Sequence, residues 1–419
     1  MAARTHSTRQ SAIRIGVVAV AAIVVAEGAV WLMRPRAESI APASVSERSY
    51  FSAAELRRAS DYRDTQRLIG FGALAVEAGV LLVLALWRPA PLRQVLDAAA
   101  RRPILGAAAV GAGVSLTLAI AGLPLGAIAN ERAREAGLST QEIGPWLGDQ
   151  ARAIAIGMAL GALAAAAAMA MLRRLGRRFW LGGTVLVIGA AAAFTWLAPV
   201  VLAPVFNRFE PLPPGRVRSE VLALGRRAGV KIGGVYRVDA SRRSTAINAY
   251  VDGLGSTKRV VLYDNTIREL SPAELRSVVA HELGHVKGDD IGRGLLFVAL
   301  IAPLGMLFVQ LFTEALARRR GDDIRTPAAI PALALSVAVA AFVLGVPGNQ
   351  LSRKVEARAD SFALETTRDS GAFVDLQRRL AVSNLADPEP PAVTQFLFGT
   401  HPTTMDRIGA AVAYGRSIR

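Results

Sequence analysis

Seven apolar stretches govern what this chain can fold into. They are Ile13–Met33, about Leu68–Trp87, about Ile104–Ala129, Ala153–Leu172, about Leu181–Pro204, Leu295–Phe312 and about Ala328–Val346. Each approaches the roughly 17–25 residues that a helix needs to cross the hydrocarbon of a bilayer. Trp31, Trp87 and Trp180 lie near ends of such runs, where indole rings anchor at the lipid–water interface. The first run follows Arg4 and Arg9 and has Arg14 at its start, as a signal peptide would. It is long, no clear cleavage pattern follows it, and six more runs come after, so it reads as a retained helix. Glu27 and Glu77 fall inside the first two runs, which points them toward a bundle interior or a water-filled space.

Of the 419 residues 52% are hydrophobic, and the formal net charge is +16. Many arginines sit at the ends of the apolar runs rather than on one basic face with aromatics. A membrane surface accounts for that charge, and no nucleic-acid partner is expected. With no cysteine, disulfides, thiolate metal sites and cysteine nucleophiles are excluded. Membrane lipid is an expected partner, and the chain is expected to act as a monomer.

Two regions are polar enough to fold outside lipid, Asn207–Arg293 and Gln350–Arg419. Runs six and seven lie between them, so one shared site requires these runs to form a hairpin. In the first region "VRSEVLALGRRAG" reads as an amphipathic helix closed by Gly229. "GVYRVDA", "TAINAYVDG" and "KRVVLYD" read as three short strands of a small antiparallel sheet, with turns at "SRRS" and "LGST". Then comes "SPAELRSVVAHELGHVKGDD". Ser271 as N-cap, Pro272 at the first helical position and Glu274 three residues after the cap mark a helix start.

On that helix His281 and His285 are one turn apart and point the same way, so both imidazoles can bind one Zn2+ ion. Glu282, beside the first histidine, can take a proton from water attacking a carbonyl. This is the H-E-x-x-H arrangement of zinc peptidases. The bland alternative is a surface helix with two unrelated histidines. Catalytic zinc commonly has three protein ligands, and no third histidine follows Gly288 at the metzincin spacing. His6 precedes the first span. "SRKVEARADSFALETT" reads as a helix from Leu351 to about Thr367 with Glu356 and Asp360 one turn apart. Glu356 can complete a His2Glu site, and Asp360 can accept the far N–H of a ligating histidine. Spacing alone also allows a solvated, charge-paired helix face, with Arg353 pairing Glu356 or a neighbouring carboxylate.

"HELGH", two membrane runs, "SRKVEARADSFAL" and "THPTTMDRI" in that order resemble the M48 family of zinc metallopeptidases, in particular its Ste24-like, CAAX prenyl protease 1 branch. "LAPVFNRFEPLPPG", "NAYVDG…KRVVLYD" and "FSAAELRRASDYRDTQR" fit it too, so the resemblance runs from about residue 50 to the end. It implies a mainly α, polytopic membrane bundle of about seven transmembrane helices with an M48-type zincin domain. The domains expected are a five-helix membrane part, 1–205, and a peptidase part, 206–419. The latter includes a transmembrane hairpin at about 294–347 and a helical C-terminal part, 350–419. By position the resemblance makes Glu356 the third zinc ligand and Glu282 the general base, with Asp360 in support. It sets His401 to donate to the developing oxyanion and Arg407 to anchor that region or the substrate. It gives Asn248 and Ala249 to the strand that holds substrate.

The activity implied is zinc-dependent endoproteolysis with one zinc per chain. Its expected substrates are membrane-associated, misfolded or prenylated CAAX-like proteins and peptides. The Ala/Arg-rich texture looks bacterial, which weighs against a CAAX tail. A transporter using Glu27 and Glu77, or an inactive scaffold with a structural metal, would explain the spans but not the convergence of four site residues. For sidedness, Arg88–Arg102 and Arg173–Arg178 put the N-terminus and the even-span loops in the cytoplasm and the Asn207–Arg293 region outside. The resemblance implies the opposite, and the expectation taken forward is a multi-pass protein of the cell inner (plasma) membrane with its site facing the cytoplasm.

Overall fold

A computed structural model describes residues 2–87, 89–253 and 258–418, with side chains from residue 10 onward. Arg88, the "LGST" turn and the His6 side chain lie outside that description. The chain is mainly helical. Helix α1 (Ala2–Met33) leads by an extended segment to α2 (Ala53–Leu82), which ends in a π-helical turn, Val83–Trp87. Next come the short α3 (Ala90–Ala99) and two 33-residue helices, α4 (Pro103–Glu135) and α5 (Ile143–Leu175). Then follow α6 (Phe179–Leu197), a second π turn and the one-turn α7 (Ala203–Phe206).

Six helical runs are long and apolar enough to cross a membrane, and one of them, Ile143–Phe206, is 64 residues long. It cannot be one crossing. Gly176, at φ 53, opens a 3-10 turn, Gly176–Arg178, in the left-handed region that favours glycine. A Cβ at Gly182 would lie 2.9 Å from the Met171 sulfur, so α6 folds back on α5. This run therefore supplies two crossings, and the chain is a multi-pass membrane protein.

Beyond the bundle lies a small domain. β1 (Phe209–Pro211), α8 (Arg216–Arg227), β2 (Gly234–Val238), β3 (Ala249–Asp252) and β4 (Arg259–Tyr263) precede α9 (Asp264–Glu269) and α10 (Pro272–Lys287). The sheet order is β1-β2-β4-β3. Both outer pairs are antiparallel, but β2 and β4 are parallel, pairing Gly234 with Arg259 through Val238 with Tyr263. The all-antiparallel expectation is corrected to a mixed sheet with a fourth strand. The reason is the loop from 239 to 248, which carries the chain past one strand position. β4 then returns into the gap. Consistent with a central place, Val260, Val261 and Leu262 are all buried, on alternating faces.

Helix α11 (Asp290–Arg320) and α12 (Ile330–Thr367) form the hairpin. The sequence reading separates the seventh span from the helix carrying Glu356. In fact α12 runs 38 residues without a break, through Pro347 and Gly348. Helices α13 (Ser370–Ser383), α14 (Ala392–Phe398) and α15 (Thr404–Ser417) close the chain. The extramembrane core joins Val235, Ala249, Val260 and Leu262 of the sheet to Val279 and Leu283 of α10, Leu364 of α12 and Phe373 of α13.

Candidate active site

Helix α10 starts as its residues dictate. Ser271 accepts from the Glu274 N–H, and Glu274 accepts from the Ser271 N–H at 2.8 Å, closing the capping box. Gly284 then lets α10 approach α12. A Cβ there would meet the Ala359 Cα and the Phe362 ring, both at 3.2 Å. That close approach brings Glu356 to the two histidines.

The Nε2 atoms of His281 and His285 are 3.1 Å apart. Glu356 Oε2 is 3.1 Å from His281 Nε2, and Glu356 Oε1 is 3.6 Å from His285 Nε2. Ligand-type atoms of His281, Glu282 and His285 lie within 4.8 Å of one another. The rings are held from behind. His285 Nδ1 bonds Asp290 Oδ2 at 2.9 Å. His281 Nδ1 lies 2.8 Å from Asp360 Oδ1, close but not aligned as a hydrogen bond. Arg407 grips Asp360 with two hydrogen bonds, 2.8 and 2.6 Å, and lies over the Phe373 ring.

These residues fit a metal ion. Carboxylates behind both Nδ1 atoms favour N–H there, which leaves two Nε2 lone pairs facing one another beside a carboxylate. Glu356 Oε2 is buried with no hydrogen-bond partner. With both rings neutral and no cation between them, this arrangement is repulsive. Tetrahedral zinc at about 2.0–2.2 Å from each ligand separates neighbouring ligand atoms by roughly 3.3–3.5 Å, which the 3.1 and 3.6 Å separations bracket. Burial opposes a charge on His281, yet Asp360 and Glu356 pull its pKa up to about 10, so the pocket calls for positive charge.

Glu282 shares a cavity of about 490 Å³ with His285, Glu356, Val251 and Lys258. Burial pushes its carboxyl pKa up, against the pull of the two histidines. His401 reaches over the site from the loop after α14, with Nε2 3.4 Å from Glu356 Oε1. Its Nδ1 lies 2.9 Å from the Thr400 hydroxyl. Burial lowers its pKa, Glu356 opposes that, and Arg407 adds to the lowering. Burial also works against the Arg407 charge, but Asp360 outweighs it and the pKa is raised.

Arg353 does not pair with a carboxylate. It donates to the carbonyls of Gln395, at 3.1 Å, and Gly399, tying down the loop that bears His401. Its neighbour in sequence suggested the ion pair; the approach of α14 decided otherwise. Asn248 precedes β3, which is an edge of the sheet. Its N–H goes to Thr266 Oγ1, its carbonyl accepts from Tyr263, and its own Oδ1 takes the Ala249 N–H at 2.9 Å. Alternation along the strand then turns the Val251 N–H and C=O outward, toward the cavity that Val251 lines. Sequence reasoning missed Asp290 and Arg358. The acidic pair after "HVKG" was the only signal for either.

The model of peptidase family M48 matches residues 211–414, and the model described as CAAX prenyl protease N-terminal, five membrane helices, matches residues 35–208. The chain is 26% identical over 377 residues to the uncharacterized metalloprotease YhfN of Bacillus subtilis, covering 88% of each. It is 31% identical over 224 residues to a CAAX prenyl protease 1 homolog of Oryza sativa, 51% of each, so it spans about half the length of that relative. In fold it is similar to the crystal structure of S. mikatae Ste24p, with a TM-score of 0.77 at 17% identity over 95% of this chain and 98% of that one.

Proposed function

This chain belongs to peptidase family M48, and from that premise we propose a zinc endopeptidase that takes its substrates at the membrane. His281, His285 and Glu356 would hold the ion, and Glu282 is the general base. The observation that carries the reading is the convergence of two Nε2 atoms and a partnerless buried carboxylate oxygen beside Glu282. Zinc held there supplies Lewis-acid chemistry, drawing electrons from a scissile carbonyl and making water a better nucleophile near neutral pH.

The chain's own residues do the rest. Glu282 takes the proton of the attacking water and passes it to the leaving amine. With the proton on His401 Nε2, the atom that faces the site, Nδ1 accepts from the Thr400 hydroxyl 2.9 Å away and Nε2 meets the developing oxyanion. Asp360, fixed by Arg407, orients His281. Substrate adds to the open edge of β3 in extended form, with Val251 as the exposed rung next to Asn248 and Ala249.

The space beside the site supports a membrane-associated or unfolded hydrophobic substrate. A second cavity of about 520 Å³ shares Val251, Gly253 and Ile291 with the first. It is lined by Trp196, Pro199 and Val200 from the end of the fifth crossing and by Tyr236 and Tyr250. An apolar side chain would leave the edge strand into that space. Prenylated tails are the substrates that the names of the CAAX prenyl protease relatives point to, and for this chain they are one member of that wider class.

We place the site outside the cytoplasm, at the outer face of the plasma membrane, against the expectation drawn from the resemblance. What supports this is the charge on the short connections. Residues 88–102, 172–178 and 317–326 carry twelve arginines and three aspartates, whereas 34–52 and 133–142 carry four arginines and four glutamates. The second set joins the catalytic domain, through Ile40 N–H to Ser361 Oγ at 2.9 Å and Thr140 N–H to the Arg243 carbonyl at 3.1 Å. The arginine-rich set therefore lies on the other side, where the positive-inside rule locates the cytoplasm.

The mechanism is tested with purified, zinc-loaded protein and a panel of unfolded and hydrophobic peptides. Glu282→Gln is expected to lower kcat/KM by roughly 10²–10⁴-fold while zinc content stays at one per chain. Cleavage at the wild-type rate by this variant would sink the assignment.

A further inference from the structure

We propose that Asp290, clamped by Arg358, is the positioning residue for His285, so that each histidine of the site is held by its own carboxylate–arginine pair. The inference rests on the metal reading above. One pair is His281, Asp360 and Arg407. The other is built from different elements. His285 Nδ1 bonds Asp290 Oδ2 at 2.9 Å, and Arg358 donates to the same oxygen at 2.6 Å. Arg293 lies 3.4 Å from the other oxygen and also donates to the Gly288 carbonyl at 3.2 Å. The Asp290 and Arg358 side chains are only 12% and 11% exposed.

The local sequence is shaped to this end. Helix α10 stops at Lys287, and α11 starts at Asp290, so the chain must turn within two residues. Asp289 makes that corner in the left-handed region, φ 50 and ψ 49, a conformation that side chains other than glycine rarely adopt. The corner swings Asp290 back onto a ring five positions earlier. Gly288 leaves the slot for the clamp. A Cβ there would fall 2.3–2.5 Å from three atoms of the Arg358 guanidinium. "GDD" after "HELGHVK" is thus a glycine slot, a strained corner and a carboxylate.

Arg358 sits two residues after Glu356 on α12. The third proposed ligand and the second clamp therefore move as one body. The carboxylate fixes the proton on His285 Nδ1 and aims Nε2 at the cavity, which is how a partner behind a histidine strengthens metal binding.

The test is zinc affinity of the metal-free full-length protein in detergent, by competition with a chromophoric chelator. It is paired with thermal unfolding of the same metal-free samples and with the ¹⁵N shifts of His285. Asp290→Ala is expected to weaken zinc binding 10–100-fold with the metal-free unfolding midpoint retained and the His285 proton no longer fixed on Nδ1. Asp290→Glu should recover part of the loss, and Arg358→Gln should weaken binding less than Asp290→Ala. Arg358→Gln also carries the test if Asp290→Ala fails to fold. Zinc affinity within twofold of wild type in both variants, alongside a His285→Ala variant that has lost it, would overturn the positioning role and leave the metal site standing. Wild-type affinity in His285→Ala would overturn the metal reading itself.

Discussion

The resemblance put Arg407 near the reacting carbonyl and Asp360 behind a ligating histidine, and their side chains meet in a two-bond grip 2.6–2.8 Å long. With two of its N–H groups committed to Asp360, Arg407 is linked to the site through Asp360 and His281. Charge pairs away from the site behave in the ordinary way, and Glu274 gives the clearest case. It is almost wholly buried, which pushes its pKa up. Arg379 at 2.7 Å and the Ser271 cap pull harder, so the pKa is held below the usual 4.5. A carboxylate depressed in the folded state stabilises it above the unfolded pKa and loses that contribution as pH falls below it. Glu274→Ala should therefore cost about 1–2 kcal/mol at pH 7. The gap to wild type, followed by thermal unfolding across pH, should narrow below pH 4.5; a gap that stays constant to pH 3 would contradict the ionic origin.

At the scale of elements, helix ends marked by local chemistry were legible, and the continuity of helices was not. The Ser271–Glu274 box and Pro272 placed the start of α10, because a cap is chemistry within four residues. Nothing so local shows that α12 continues through Pro347 and Gly348, since neighbouring helices, hydroxyl side chains and small backbone adjustments re-satisfy what a proline frees. Nor does strand pattern give pairing partners, so the parallel contact of β2 with β4 was invisible. Packing of α4 on α5 is likewise a matter of partners. A Cβ on Gly161 would meet Ser115 Oγ at 2.2 Å and the Gly111 carbonyl at 2.9 Å, and one on Gly111 would meet the Gly161 carbonyl at 2.4 Å. Small residues here let two helices touch along their backbones. Gly161→Leu is expected to cost about 1–3 kcal/mol, seen as a lower unfolding midpoint in detergent. Gly113→Ala, on the same helix as Gly111 but with open space around it, should not lower the midpoint.

For the whole molecule the question is which side of the membrane each loop occupies. The carbonyl of Arg325 accepts from Arg173 at 3.4 Å, so the turns after α5 and after α11 share one face of the bundle. The catalytic domain occupies the other. Because the chain has no cysteine, single substitutions can report each face. With Ala392→Cys on the catalytic face and Ala100→Cys on the other, a membrane-impermeant maleimide on intact cells should label Cys at 392 and spare Cys at 100. The reverse pattern would put the site in the cytoplasm. By itself the sequence determined the membrane class, the apolar runs, the capped helix and the pair of histidines, because each is written in residues close along the chain. It also offered Glu356 by its order after two spans. Only the tertiary structure decided that Arg353 serves a loop, that β4 lies parallel to β2, and that Asp290 and Arg358 stand behind His285. Those outcomes depend on which surfaces meet when the chain folds, and the residues involved are as much as 68 positions apart.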